Sequence, residues 1–399
     1  MVKGKSWKRK ALVFRNINPL APLICSTRRL AEALVSSGSW CVAWIWGPLP
    51  LTLRPQRSQY GRGLINYLKG GEWISSSFWH YVPLTYLPYL RPVPEKWLFR
   101  MLISTFPPLC GKLRKRGFFN VDLLLIESPL LVSGLSICNP RLVVYHCTGP
   151  FDRFGSLPEP VLRAHKFLVE HANLVITVSE GIRRDLIALH AVSPEKVRVI
   201  KHGADTQFVR LTRELLKTET NVQRRKPVAV LVGIPATTDI SLLQHLVKEA
   251  PSVDFLIVGP FRVFEKRMFR GLRNIKFLGL LEHADVMRIL TQSDVGLILY
   301  KKKVVEILPE GSTGMKLYDY AAAGLPIVSV PLPITDETPP ICFATEPKEF
   351  VQAIQYCVEH KTDLSAKALA FAERNSWEKR QNEFVKLIEE ALRHVSRGR

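Results

Sequence analysis

The chain has no Asp-x-Asp pair anywhere in its 399 residues, so the metal-dependent way of holding a nucleotide diphosphate has no ligands here. No P-loop and no zinc spacing occurs. The seven cysteines, Cys25, Cys41, Cys110, Cys138, Cys147, Cys342 and Cys357, are odd in number and scattered, with no C-x-x-C. That excludes a paired-cysteine metal or redox motif and makes a reduced, cytosolic compartment the simplest reading. Gly61-Arg-Gly63 follows no clear strand and lacks a third glycine, so a dinucleotide fingerprint is not supported. The N-terminus is basic but runs into the first strand without an h-region or small-residue cleavage site, unlike a signal peptide. Internal repeats and low-complexity segments are also missing.

Acidic residues are scarce where basic ones are dense. Residues 1–120 hold 19 lysines and arginines against Glu32, Glu72 and Glu95 alone, most of the chain's net charge of +21. A field of that size implies a polyanionic partner, either a nucleic acid or an anionic membrane face. Inside this region, Trp73 to Leu90 carries no charge and holds Trp73, Phe78, Trp79, Tyr81, Tyr86 and Tyr89. Tryptophan and tyrosine beside cations compose a membrane-interface patch, which places Trp73, Phe78, Trp79 and Tyr81 at the inner face of the plasma membrane. Pro83, Pro88 and three serines exclude a spanning helix. The same composition also suits an internal strand with an aromatic loop packed on the core.

A hydrophobic share of 47% with 23% charged residues is that of a globular chain, and the length suits two domains. Short apolar runs alternate with helical spacing. Ala11–Ile17, Cys41–Trp46, Val121–Ile126, Leu142–Tyr145, Leu174–Val178 and Val197–Ile200 read as strands. Leu23–Ser36, Glu95–Arg116, Pro158–Ala172 and Glu180–Leu189 read as helices. Residues 206–226 break the pattern and read as a linker. A second set of strands follows at Val228–Val232, Phe255–Val258, Lys276–Leu278, Val295–Leu299 and Pro326–Val330, with helices near Ile240–Glu249 and His283–Leu290. The expected fold class is α/β, with two doubly wound, Rossmann-like domains and ligands at the carboxyl ends of the strands. The expected boundaries are 1–205, a linker 206–226, 227–370, and a last helix within 371–399 that crosses back to the first domain.

The segment Glu310 to Pro331 organises the second domain. It reads as a glycine-containing loop, a short helix from Met315 to Ala323, a stop at Gly324 and a buried strand. The N–H groups at the helix start, its dipole and Lys316 in the first turn make an anion site that suits a diphosphate. Asp319, one turn along the same face, can accept hydrogen bonds from ribose hydroxyls. An ordinary helix with a surface lysine is the plainer alternative.

This string, Lys-x-x-Asp followed by Tyr-Ala-Ala-Ala-Gly-Leu-Pro-Ile-Val, resembles the donor-nucleotide motif of GT-B glycosyltransferases. Ala172-Asn-Leu-Val-Ile-Thr-Val-Ser-Glu and Val197-Arg-Val-Ile-Lys-His-Gly-Ala-Asp205 resemble the end of the first domain in family 4, with His202 at a turn where Asn is usual. The Glu that family 4 places eight residues before its second carboxylate is Gly311 here, with Glu310 one place earlier. Gly-Met-Lys with an acceptor three positions on is closer to family 70, the membrane-associated glucuronosyltransferases of xanthan assembly. That resemblance implies Met315 and Lys316 at the nucleotide and diphosphate, Asp319 beside them, Tyr300 near the uracil or sugar, and Glu282 at the interdomain cleft. It implies a catalytic base at Asp152.

Asp152 also stands out by itself, in a Gly/Pro loop after a strand's carboxyl end, where a carboxylate can take a proton from an attacking hydroxyl. His146 is a second candidate. A loop or N-cap aspartate is the plainer reading. The expected activity is transfer of a hexose, with glucuronic acid as one candidate, from a UDP-linked donor to a lipid-linked or membrane-proximal glycan in exopolysaccharide or cell-envelope synthesis. No cofactor or metal is expected beyond the nucleotide-sugar co-substrate, with Lys316, helix N-termini and the Lys301–Lys303 run supplying charge. The rivals are a nucleic-acid-binding protein and a non-catalytic GT-B-like subunit.

Overall fold

The computed structural model describes residues 8–16, 18–19, 25–50, 57–87, 94–218, 226–312, 314–334 and 337–397. Ile17, Leu23, Tyr89 and residues 219–225, assigned above to a strand, a helix, the aromatic segment and the linker, lie outside them. The chain divides into two compact units, Met1–Lys201 with Gln381–Arg399, and His202–Arg380.

The strands of the first unit are β1 (Arg9–Arg15), β2 (Trp40–Trp46), β3 (Leu49–Pro50), β4 (Glu72–Ser75), β5 (Phe78–Tyr81), β6 (Leu84–Thr85), β7 (Thr105–Phe106), β8 (Asn120–Ile126), β9 (Asn139–Cys147), β10 (Leu174–Thr177) and β11 (Val197–Val199). Eight form one sheet in the order β11-β10-β9-β8-β1-β2-β5-β4, parallel except for the edge pair β4 and β5. Helices cover both faces, so the central strands read as continuous apolar runs rather than alternating ones. All seven residues of β2 are buried. One face packs Leu12, Phe14, Trp79, Tyr81 and Leu124. The other packs Val13, Trp44 and Leu123 against Phe384, Ile388 and Leu392, a stripe at helical spacing on the last helix, Trp377–Arg397.

Three expectations need correction here. Phe78, Trp79 and Tyr81 do not face a bilayer, because they form β5 and are 5%, 0% and 1% exposed. Trp79 stacks on Tyr81 and Phe118. Of the four residues placed at the membrane, Trp73 alone is exposed. Secondly, Glu95–Arg116 is not one helix. Pro107 and Pro108 cannot continue one, so a turn at Glu95–Leu98 and strand β7 precede a helix at Leu109–Arg116. Thirdly, the supposed linker opens with a helix, Thr206–Thr218, which buries Val209 and Thr212. Thr212 Oγ1 donates to the Ala322 carbonyl at 2.9 Å. Its narrow apolar stripe inside a polar sequence hid it.

The second unit has β12 (Val228–Val232), β13 (Asp254–Val258), β14 (Ile275–Gly279), β15 (Val295–Ile298), β16 (Ile327–Ser329) and β17 (Ile341–Phe343). They form one parallel sheet, β14-β13-β12-β15-β16-β17. In each unit the first strand lies inside the sheet and later strands add on both sides. The switch points therefore fall between β1 and β8 and between β12 and β15, where an open α/β sheet leaves a crevice at its carboxyl edge.

Candidate functional site

Lys316 reaches the switch point of the second unit. It is the second residue of the helix Met315–Ala322, whose N-cap, Gly314, offers no side-chain cap. Its ammonium sits 4.6 Å from the centre of the Tyr300 ring, just past β15. Glycines let these groups meet. A Cβ at Gly314 would stand 3.2 Å from the Tyr300 hydroxyl, and one at Gly233, just past β12, would stand 3.0 Å from Thr238 Oγ1. Gly259 has φ +144°, and a Cβ there would lie 1.8 Å from the Gly233 carbonyl oxygen, so the turns after β12 and β13 approach as only glycine allows.

The helix is set by Tyr320. Its hydroxyl accepts from Val232 N–H at 3.0 Å and donates to the Leu297 carbonyl at 3.0 Å, tying the helix to β12 and β15. A Cβ at Gly296 would run into its ring at 2.7 Å. The 233–239 loop is fixed as well. Asp239 N–H donates to Leu299 O at 2.8 Å, and Lys301 Nζ donates to the carbonyls of Pro235 and Ala236 at 2.9 and 3.1 Å. Lys301 thus serves the loop. What results is a helix N-terminus and a cation presented together at a sheet's carboxyl edge, which can neutralise a diphosphate.

The structure brings Met315, Lys316, Tyr300 and Asp319 to this one end of the sheet, with Met315 and Asp319 half-buried. Glu310 is exposed in the preceding loop, before Gly311 at φ +72°. Glu282 is exposed at the start of the helix His283–Thr291, after the edge strand β14. Strand β13 stands between that edge and β12. His202 is buried against the rings of Tyr318 and Trp377, and burial lowers its pKa to about 4, so it acts as a packed turn residue.

In the first unit the switch point carries a cluster of which the sequence singled out His146 alone. Arg15, at the end of β1, pairs with Glu127, just past β8. Thr27 Oγ1 donates to Glu127 Oε2 at 2.5 Å and lies 2.8 Å from His146 Nδ1, while Thr148 Oγ1 donates to Glu127 Oε1 at 3.2 Å. Arg15 and Glu127 are 12% and 10% exposed, so the pair is nearly withdrawn from water. Three of its contacts span 100 to 119 residues, so no local motif announces it.

Asp152 does not stand at this cluster as an unencumbered base. It lies in the turn Phe151–Arg153, and its Oδ2 is 3.2 Å from His165 Nε2 and 3.1 Å from His190 Nε2. Burial acts to raise its pKa, but the two histidines outweigh burial and hold the carboxyl well below the ordinary aspartate range. A carboxylate so stabilised is a weak proton acceptor, because general-base catalysis favours a pKa near the working pH. The expected base is thus engaged by two histidines rather than free.

Two doubly wound parallel sheets, each with polar groups at the carboxyl edge of its switch point, define the GT-B fold. The comparisons with known proteins agree. Residues 75–208 match the profile described as Glycosyltransferase Family 4, and residues 238–386 match one described as Glycosyl transferase-like. Among solved structures, sucrose-phosphate synthase from Thermosynechococcus elongatus superposes with a TM-score of 0.69 at 18% identity, covering 96% of this chain and 99% of that one. Anabaena HepE in complex with UDP superposes with a TM-score of 0.61 at 15% identity, covering 96% and 100%. Sulfoquinovosyl transferase SQD2 of Arabidopsis thaliana is 22% identical over 258 residues, 61% of this chain and 47% of its own length. The chain spans about half the length of the curated relatives it matches. Among the described residues, no helix is long and apolar enough to cross a membrane.

Proposed function

We propose that the chain is a glycosyltransferase that takes a sugar from a nucleoside diphosphate, with UDP as the carrier, and passes it to a lipid-linked or membrane-proximal glycan in exopolysaccharide or cell-envelope synthesis. The observation that carries this reading is Lys316, held over the Tyr300 ring at the N-terminus of Met315–Ala322. A diphosphate there meets backbone N–H groups and one full positive charge, so its charge is met without a metal. Asp319 takes the ribose hydroxyls, Met315 and Tyr300 border the base or sugar, and Glu310 approaches the donor from the loop. Two match profiles of glycosyltransferases and a UDP-bound structural neighbour support the reading. Glucuronic acid is the sugar that the family 70 resemblance favours.

The acceptor side of the proposal belongs to the first unit. The Arg15–Glu127–Thr27–His146 cluster occupies the place where such a sheet receives a ligand, and His146 stands there as the second candidate proton acceptor beside Asp152. Of the residues first singled out for attachment to the anionic inner face of the plasma membrane, Trp73 stays in this proposal and is joined by others. The helix Arg57–Leu68 and strand β4 expose Ile65, Leu68, Trp73 and Ile74, at 54%, 72%, 44% and 41%. Beside them stand Lys112 and Arg116 on the basic end of Leu109–Arg116, which reach Gly70 and the Trp79 ring. Apolar insertion and attraction to anionic lipid act together at such a patch.

A donor screen across UDP- and GDP-linked sugars, read as binding and as slow hydrolysis, tests the proposal. Saturable use of at least one UDP-sugar is expected. Failure to bind any nucleotide sugar, with tight binding of duplex DNA by the basic region, would turn the reading to the nucleic-acid rival.

A further inference from the structure

A second cluster of ligand-type side chains lies in the first unit and has no part in the donor site. Asp152, His165 and His190 come from three different elements: the turn after β9, the helix Glu159–His171 and the last residue of the helix Glu180–His190. One ligand atom from each falls within 4.8 Å of the other two. His165 is fully buried, His190 is 6% exposed and the Asp152 side chain 19%.

Four features of this cluster point to a cation. Asp152 is a half-buried carboxylate whose ion-pair partners among the described residues are the two histidines, with no lysine or arginine; its neighbour Arg153 is taken by Asp185 at 2.7 Å. Buried charges are paired or hold metals. Two of the three separations suit shared coordination, since two ligands bound tetrahedrally to one zinc ion at 2.0–2.1 Å stand roughly 3.3 Å apart, against 3.2 and 3.1 Å here, and the two histidine nitrogens lie within 4.8 Å of each other. His165 also has the outer partner that a metal-binding imidazole usually needs. Its Nδ1 lies 2.8 Å from the Tyr145 hydroxyl. The phenol oxygen can accept Nδ1–H, which leaves Nε2 to a metal. Finally, His190 closes an 11-residue helix at its C-terminus, the end whose partial charge favours a cation. Unlike His165, His190 has no outer partner for its Nδ1 among the described residues.

We infer that Asp152, His165 and His190 form a binding site for a divalent transition metal of the zinc type. Nε2 of each histidine and one carboxylate oxygen are the protein ligands, and water completes the shell. Binding exchanges the histidine–carboxylate hydrogen bonds for metal bonds, and any proton on Nε2 moves to Nδ1 or to solvent. The metal links the β9 turn to the two helices that follow it, so its role is to fix that turn. No carboxylate pair and no Cys-x-x-Cys announces the site, because its ligands are 13 and 25 residues apart.

The test uses the full chain, stripped with a chelator and titrated with Co²⁺ and then Zn²⁺. One Co²⁺ per chain is expected, with a visible ligand-field band that Zn²⁺ bleaches. His190→Gln and Asp152→Asn should each weaken Zn²⁺ binding by well over tenfold with the far-UV circular dichroism unchanged. Tyr145→Phe, which removes an outer partner and not a ligand, should weaken it by about tenfold while keeping the band. Absence of a Co²⁺ band in the wild-type chain, or Zn²⁺ affinity equal in wild type and His190→Gln, overturns the inference. Should His190→Gln fail to fold, the wild-type stoichiometry and Tyr145→Phe decide the matter.

Discussion

The two units solve the same topological problem with different materials. Each leaves a crevice where strand order reverses, yet the second unit fills its crevice edge with main chain and one cation, and the first with interlocked side chains. In the second, Gly233, Gly259 and Gly314 admit close approach, and a helix N-terminus with Lys316 supplies the charge. In the first, Arg15, Glu127, Thr27, His146 and Thr148 bind one another, with Arg15 Nε left without a partner among the described residues. A site of the first kind is open to an anion as it stands. One of the second kind is preorganised by mutual contacts, and removing any member leaves another buried without a partner.

That contrast sets the order of expected effects. The largest fall in the first unit. Trp79→Ala should cost about 3–5 kcal/mol of folding stability, as deletion of a wholly buried indole does, read from denaturant unfolding. A surface tryptophan that inserts into lipid would leave stability nearly unchanged. Glu127→Ala should cost a similar amount, about 3–5 kcal/mol, because it strands the Arg15 guanidinium in a nearly buried place. A loss below 1 kcal/mol, on the order of a surface ion pair, would show that solvent reaches the cluster and would erase the contrast.

Smaller effects belong to the second unit and to the surface. Tyr320→Phe should cost about 1–3 kcal/mol, the usual penalty for leaving buried main-chain groups unpaired, here Val232 N–H and Leu297 O. An accompanying loss of UDP affinity would sharpen the account by showing that helix placement matters to binding. Leu68→Ser with Trp73→Ser should alter stability by less than about 0.5 kcal/mol, as exposed positions do. It should nevertheless lower sedimentation with anionic liposomes at high salt, where the electrostatic part is screened. Liposome binding unchanged by the pair would remove the Arg57–Leu68 and β4 patch from membrane attachment.

What the sequence reveals follows the same division. The donor-side group was legible because it is local: a loop, a helix start, a lysine and a carboxylate three residues on lie within ten residues. Strand and helix alternation was legible because parallel strands buried on both faces read as short apolar runs. Of the cluster at β1 and β8 only His146 was, since the sheet brings the members together and the others look ordinary in their own segments. Asp152 was found as a loop carboxylate, but its histidines, 13 and 38 residues away, could not be assigned to it. The aromatic segment misled for a related reason. Composition cannot tell a strand buried on both faces from a patch lying in lipid, and β5 is the former while Trp73, beside it on the edge strand, stays exposed.

Calorimetric titration of UDP into the wild-type chain, Lys316→Ala and Glu127→Gln tests the central claim most directly. The account predicts one site in the wild type, weakening by about 1.5–3 kcal/mol in Lys316→Ala, the range of a charge-assisted hydrogen bond, and little change in Glu127→Gln. Equal UDP affinity in wild type and Lys316→Ala would contradict it.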